Sequence, residues 1–431
     1  MFAGNRKSGK FDLEAVEMLV RDALHHAGAA ALEQLLSMPS CQPAQTACHC
    51  GGVAQQHSRR SKQILTALGS VRFQRSYYVC PRCHHGYSPR DQELDVEGVS
   101  YSPGVRRMMA VVGSEVSFEE SRAQLELLAG LDVAAKAVER QAEAIGADVE
   151  AGEQSEIGRA KQLELPLVCG RSIPVLYVEM DGTGVPVVRA ETEGRAGKIE
   201  GQPAQTREVK LGCVFTQTKT DQRGRAVREE DSTSYVGAIE TADAFGLRLY
   251  TDAWRRGWNR AEKKAVLGDG AVWIWNLANQ HFPGAIQIVD LYHARQHLCE
   301  LGAKLFPQPG KARQRWLASC LDRLDRGKIE SLLKRIRTQH RTDPDLAKTI
   351  ANEADYFARN QERMRYPFFR AQGLFVGSGV IEAGCKTVIA ARLKRSGMFW
   401  TVRGANAIIA LRCCRLSRRF EDYWATRSRA A

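Results

Sequence analysis

Long apolar runs are missing from this 431-residue chain. No stretch approaches the roughly 20 apolar residues needed to span a bilayer, which argues against an integral membrane protein. The opening MFAGNRKSGKFDLEA has no apolar stretch behind its basic residues, so no secretory signal is expected and a cytoplasmic location is. Cysteine is sparse, 12 residues in all, far below the density of a disulfide scaffold. Without export, close cysteine pairs read first as metal ligands. Internal repeats and low-complexity segments are absent. What is present is ordinary for a globular chain: 44% hydrophobic and 26% charged residues, which excludes a disordered or collagen-like polymer. The length suits about two to four domains.

The charge is uneven. The chain carries a net +13. Residues 311–370 hold a net +7 and residues 386–431 a net +9, leaving the remainder at −3. A basic C-terminal half suggests a polyanionic partner, most simply nucleic acid, although a solubilising surface has the same signature.

Residues 11–38 read as one helix or two. Leu13, Val16, Leu19, Val20 and Leu24 recur at helical spacing. Leu32, Leu35 and Leu36 continue the stripe beyond Gly28, and Pro39 ends it. The stripe would pack on the chain's own core or on a second subunit. Next come two cysteine pairs around two strand-like runs, Gln63–Leu68 and Ser70–Tyr78, broken at Gly69. Cys80 and Cys83 have the two-residue gap with which two thiolates grip one tetrahedral zinc. Cys48 and Cys50 are one residue tighter, so His49 or Cys41 stands as an alternative fourth ligand. A small segment with few large aliphatic residues needs such a staple.

Residues 103–150 predict three short helices, with Pro103 starting the first, Ser117 or Ser121 capping the second, and the third spanning Val133–Ile145. That outline fits a helix-turn-helix or a plain three-helix core. Lys136 and Arg140 would be the groove-facing cations.

From residue 161 strands dominate. Leu165–Val168 and Val175–Met180 look like strands, Asp181-Gly-Thr-Gly184 like a turn, and Val185–Arg189 like the returning strand. Glu208–Gln217 alternates as a further strand. A helix over 241–255, a short strand at 265–267, a helix over 271–282 and a strand at 286–290 follow, giving a mixed α/β arrangement. Residues 310–370 interrupt it with leucines and isoleucines at helical spacing among many basic residues. Residues 377–394 then form a helix with a glycine-rich entry.

Asp181 and Asp269 each follow a strand-like run and precede glycine. Carboxylates at a sheet rim can hold a hard divalent cation such as magnesium. Glu382 is the single acid between residues 363 and 420, inside a positive region, and is either a ligand or a partner for Lys386. Each assignment alone reads equally as a turn or cap. Together the three suit two-metal phosphoryl transfer on a phosphodiester.

These motifs coincide in order: YYVCPRC, VEMDGTGVP, GLRLYTDAWRRG, VLGDGAVWIWN, IVDLYHARQHL, GSGVIEAGCK and RLKRSGMFW. On them the chain resembles the DDE transposases of bacterial insertion sequences, most closely the ISKra group, and is distantly similar to Mutator-like transposases. The resemblance implies a ribonuclease H-like mixed-sheet core interrupted by an α-helical insertion, preceded by a small zinc ribbon and a helix-turn-helix-like region. It implies that Asp181, Asp269 and Glu382 form the magnesium- or manganese-binding catalytic triad. It also implies that Asp290 and His293, an acid-x-x-His signature, neighbour the active site.

The implied layout is an N-terminal helical segment (1–40), zinc-ribbon-like module (41–98), helix-turn-helix-like domain (99–160), first part of the core (161–306), helical insertion (307–371), core completion (372–415) and basic tail (416–431). Lys386, Arg392, Lys394 and Arg395 would contact phosphates. Trp400 would stack on an unpaired base or lie in the core. The tail from Arg412 would add non-specific attraction. The expected activity is binding of terminal inverted repeats, strand cleavage and strand transfer, performed by a homo-oligomer on DNA. A zinc-dependent DNA-binding regulator with an inactive core and a structure-selective nuclease are the alternatives. The CxC pair departs from the family pattern at the zinc region.

Overall fold

The structure is a computed structural model that describes residues 12–38, 43–197, 202–339 and 342–427. Two compact units emerge. One comprises the described residues up to Ile145 with those from Glu421 onward, the other Gly146–Phe420.

In the first unit a single helix, Leu13–Ser37, runs straight through Gly28 and is capped by Asp12, whose side chain accepts from the Ala15 N–H at 3.2 Å. A four-stranded antiparallel sheet follows: β1 (Gln45–Ala47), β2 (Val53–Thr66), β3 (Gly69–Val79) and β4 (Gly86–Tyr87). The N-terminal helix packs on β3 through Glu33, which accepts from the Arg72 N–H at 3.2 Å. Among the described residues nothing covers its outward stripe, where Leu13, Leu19, Val20 and Leu24 are exposed.

Three helices then pack together: Pro103–Glu115, Phe118–Ala129 and Ala135–Lys161. Ser117 and Glu120 form a complete capping box, and Gly130 closes the second helix in the left-handed conformation. Val105, Met109, Leu125, Leu131, Val133 and Val138 make their shared core. The third helix is not short, because no proline stops it near Ile145. It continues to Lys161, and Gly146 lets it approach the Ala407 carbonyl where any Cβ would sit 2.0 Å away.

The second unit is built on a five-stranded sheet of order β11-β10-β5-β6-β9. Its strands are β5 (Ile173–Pro186), β6 (Thr206–Gln217), β9 (Ser234–Ala238), β10 (Ala261–Gly268) and β11 (Ile286–Val289), with a small hairpin of β7 (Lys219–Thr220) and β8 (Ala226–Val227) beside it. β5, β6 and β9 are antiparallel neighbours, whereas β10 and β11 run parallel to β5. Buried Val175, Leu176, Val178, Leu211, Phe215, Val266, Leu267 and Ile288 form the centre.

Alternation along β6 separates the two faces. Gly212 meets Phe245 and Leu249 of the Ala242–Arg255 helix, while the adjacent Leu211 meets Gly384 of the helical stretch beginning at Gly379.

Two sequence expectations change here. Asp181-Gly-Thr-Gly184 is not a turn and Val185–Arg189 is not a returning strand. β6 pairs with β5 without interruption from Val175↔Gln217 to Pro186↔Thr206, so the segment is one 14-residue strand. Glycine suggests a turn locally, but a continuous partner strand satisfies its backbone in extended form. Leu165–Val168 is not a strand either, since Pro166 cannot donate to a ladder and its carbonyl instead takes the Trp254 Nε1–H at 2.9 Å.

Between β11 and the Gly379 stretch lie the helices Leu291–Leu305, Lys311–Asp325, Ile329–Arg337, Pro344–Arg359 and Tyr366–Ala371. Of Leu317, Leu321 and Leu324, which fall at helical spacing, Leu324 is buried, and Trp316 and Cys320 complete the buried face of the Lys311–Asp325 helix. Ile329, Leu332, Leu333 and Ile336 are buried as their periodicity implies.

Candidate active site

Register along three parallel strands brings the first acids together. Leu267 of β10 lies opposite Glu179 of β5. Just past the end of β10, Asp269 is close enough to Asp181 of β5 for its carboxylate to act on it. Gly268 lies opposite Val289, and the Asp290 N–H donates to the Gly268 carbonyl at 2.8 Å, which carries Asp290 to the same rim. The structure thus puts Asp181 inside a strand and Asp269 and Asp290 just beyond strand ends.

Glu382 arrives from the helical stretch over the sheet. Glu179 Oε2 accepts the Ile381 N–H at 2.9 Å and Asp181 Oδ2 accepts the Cys385 thiol at 3.4 Å. Two strand residues advance about 6.7 Å and four helical residues about 6 Å, so strand and helix match step for step and Glu382 is held between the contacts. The turn after it, Cys385–Ala390, is π-helical, a widening frequent at functional sites. Gly384 permits this approach, since a Cβ there would lie 2.7 Å from the Tyr235 ring.

His293 completes the group. Its Nδ1 lies 3.7 Å from Asp290 Oδ1 and 3.8 Å from Glu382 Oε1. Donor atoms of Asp290, His293 and Glu382 all fall within 4.8 Å of one another. A cleft of about 400 Å³ is lined by Asp181, Thr183, Tyr292, His293, Glu382, Cys385, Lys386 and Lys394, among others.

The electrostatics are those of crowded carboxylates. Burial raises the Asp181 carboxyl above its ordinary value, against the Gly182 N–H at 2.6 Å, and the Asp269 carboxylate adds to the rise. Asp290, mainly through its carboxylate, lifts His293 to about 8, with Asp269 and Glu382 contributing. Burial opposes ionisation of Asp290 itself, but the His293 imidazole, the Ser378 N–H and hydroxyl (the latter at 2.7 Å) and the His293 backbone N–H at 2.7 Å hold it below the usual carboxylate range. Asp290 therefore caps the Leu291–Leu305 helix and ties it to Ser378, and its oxygens are committed to that work. Asp269 Oδ1 accepts the Ala271 N–H at 2.8 Å. Hard oxygen donors in a half-buried cleft suit a divalent cation; those that lie within 4.8 Å of a neighbouring imidazole nitrogen and of one another belong to Asp290 and Glu382, and Asp181 lines the same cleft.

Reading the sequence alone misses three contributors. Glu179 is fully buried inside the apolar run of β5, and burial pushes its carboxyl up to about 8. Its position two residues before Asp181, on the same strand face, is the available signal. Cys385 is raised by burial and by Asp181, which keeps it a neutral thiol. Tyr356 of the Pro344–Arg359 helix donates its hydroxyl to the Asp269 carbonyl at 2.8 Å. Gly270, at φ 102°, leaves room for that ring, where a Cβ would stand 2.5 Å from it.

The basic segment divides. Lys386 and Lys394 face the cleft, and Arg395 is half-buried. Arg392 is not a phosphate contact: it is fully buried, with its guanidinium 5.0 Å from the Trp400 ring centre. Trp400 is a core aromatic, buried and donating its Nε1–H to the Leu393 carbonyl at 3.1 Å. The exposed aromatic of the cleft is Tyr292. Arg412 likewise points inward to the Val388 carbonyl at 2.7 Å, which removes it from any basic tail. Lys136 pairs with Glu139 at 2.5 Å, and Arg140 is exposed.

A second cluster lies in the first unit. The thiols of Cys48, Cys50, Cys80 and Cys83 fall within 4.8 Å of one another, with Cys48–Cys83 and Cys50–Cys80 both at 3.6 Å. Four sulfurs about 2.3 Å from one tetrahedral ion would be roughly 3.8 Å apart, so the four cysteines fit a structural metal without His49. Backbone N–H groups of Cys83 and Arg82 favour the Cys80 thiolate and lower it to about 7. Cys41, the other alternative ligand, lies outside the described residues.

No family model matches the chain. A UPF0236 protein in the vanSb 3′ region of Streptococcus gallolyticus is 24% identical over 387 residues, covering 84% of this chain and 74% of that protein. Among solved structures, the Drosophila P element transposase strand transfer complex aligns at 9% identity over 77% of this chain and 83% of that chain. Its TM-score is 0.26, too loose to define a shared fold. None of the helices among the described residues is long and apolar enough to cross a membrane.

Proposed function

We propose that this chain is a DDE transposase of the insertion-sequence kind, which binds the terminal inverted repeats of its element, cleaves a strand there and joins the freed 3′-hydroxyl to target DNA. The carrying observation is the single cleft that gathers Asp181, Glu382 and His293 beside the cations Lys386 and Lys394, with Asp269 just past the end of the adjacent strand β10. Numbered by chain order, the core strands run 3-2-1-4-5 across the sheet, the order of a ribonuclease H-like fold, and the helical segment 307–371 is the insertion within it.

Asp181, Asp269 and Glu382 would hold magnesium or manganese. When bound, such ions stabilise charge on the transferring phosphoryl group and activate the attacking hydroxyl. The chain's own groups prepare the rest. Lys386 and Lys394 attract and orient the scissile strand. Glu179 and Asp290 fix the backbone that carries Glu382 and His293. Zinc on the four cysteines would brace the end of the β1–β4 sheet where the buried cluster is Cys48, Ala54, Tyr78, Cys80 and Tyr87. The helix-turn-helix-like region, with Lys136 and Arg140, would read the repeats as part of an oligomer on DNA.

The test is cleavage of a supercoiled donor plasmid carrying the repeats that flank the gene, with magnesium or manganese. Wild-type protein is expected to nick at the repeat and yield strand-transfer product. Asp181→Asn should abolish both while retaining the native circular dichroism spectrum. Undiminished metal-dependent cleavage by that variant refutes the triad.

A further inference from the structure

The geometry points to His293 as a direct nitrogen ligand of the ion held by Glu382, which makes this a mixed nitrogen and oxygen site that prefers manganese or zinc over magnesium. The inference deepens the transposase reading and rests on it.

Three observations support it. His293 Nδ1 is buried yet has no hydrogen-bond partner among the described residues. Its neighbours are carboxylate oxygens at 3.7 and 3.8 Å, beyond the usual hydrogen-bond range of about 2.7–3.2 Å. Two donors about 2.1 Å from a shared ion stand roughly 3.0–3.8 Å apart for angles of 90–130°. The Glu382 gap therefore fits an ion between the two groups better than it fits a direct bond.

Asp290 Oδ1 faces the same nitrogen at 3.7 Å, also beyond direct hydrogen-bond range, and is already engaged elsewhere. It accepts the His293 backbone N–H at 2.7 Å, and Asp290 Oδ2 accepts both donors of Ser378. The same bonds fix the first turn of the Leu291–Leu305 helix, which carries His293 Nδ1 to 3.8 Å from Glu382. An imidazole in the donor set favours first-row transition ions, whereas magnesium prefers oxygen alone.

The experiment uses the full chain with its cysteines loaded with zinc and manganese(II) as the sole added probe. Electron spin-echo envelope modulation detects nitrogen-14 coupling from a directly bound imidazole. Wild-type protein is expected to show it. His293→Gln should lose it while still binding manganese, about tenfold more weakly. Magnesium competition, read from the free-manganese signal, should show the manganese preference falling at least about tenfold in His293→Gln. In His293→Asp the preference should move further toward magnesium.

Bound manganese without nitrogen coupling, or coupling that persists in His293→Gln, overturns the inference. Asp181→Asn and Asp269→Asn separate the two levels. If they weaken manganese binding but no nitrogen is seen, only the histidine assignment falls. If they leave binding unchanged, the ion is elsewhere, and the active-site reading falls with it.

Discussion

Single side chains in this protein are assigned by what surrounds them more than by what they are. Arg392 and Lys394 sit two positions apart in a basic run, yet one is buried beside Trp400 and the other lines the cleft. Arg392→Ala should therefore cost stability, roughly 2–4 kcal/mol in chemical denaturation, whereas Lys394→Ala should leave the unfolding midpoint nearly unchanged. Asp252 shows the same principle with a pH signature. It is fully buried, which opposes ionisation, but Arg255, Arg419 and the Ser234 hydroxyl at 2.6 Å hold its carboxyl below the ordinary value. A depressed folded-state value stabilises above the unfolded value near 3.8 and is lost as the pH falls through the folded value. Asp252→Asn should thus destabilise at neutral pH, and denaturation curves of the two proteins should converge in acid. Asp269 and Asp290 were legible as site candidates because each ends a short apolar run. Glu179 was not, because a buried acid inside such a run is identified only by the Ile381 N–H it meets.

At the level of elements, the helical insertion does more than fill sequence. Its Pro344–Arg359 helix delivers Tyr356, which bonds the Asp269 carbonyl and stacks on His297 with ring centres 4.0 Å apart. His297 in turn bonds Glu353 at 2.8 Å. Tyr356→Phe keeps the ring and removes the hydroxyl, so about 1 kcal/mol of stability should be lost, and manganese affinity should fall with it. Calorimetric titration checks the second effect, and unchanged affinity would mean that the Asp269 loop holds itself. The zinc-ribbon-like element predicts a different readout. Metal analysis should find one zinc per chain in wild-type protein and none in Cys80→Ser, with a lower melting temperature on chelation. The hairpin was legible because Gly69 and the alternating runs mark it. The uninterrupted β5 was not, because its continuity through Gly182 and Gly184 depends on β6, a partner some thirty residues away in sequence.

Across the whole molecule, the net +13 predicts salt-sensitive association with a polyanion. Removing Lys386 and Lys394 together should reduce the slope of log affinity against log salt by about 2. Arg412→Ala should not change that slope, because its charge already serves the Val388 carbonyl. A filter-binding series over salt concentration distinguishes the two. Composition, periodicity and motif spacing were enough to determine that this is a mixed α/β chain with a basic C-terminal half, a four-cysteine knuckle and three widely separated acids, since those properties are local. Which acids share a cleft, which cations remain exposed, and that His293 faces Glu382 rather than solvent were decided by strand register and by the helix laid over it. Pairing between distant strands sets those distances, and nothing in the spacing of residues along the chain encodes the register directly.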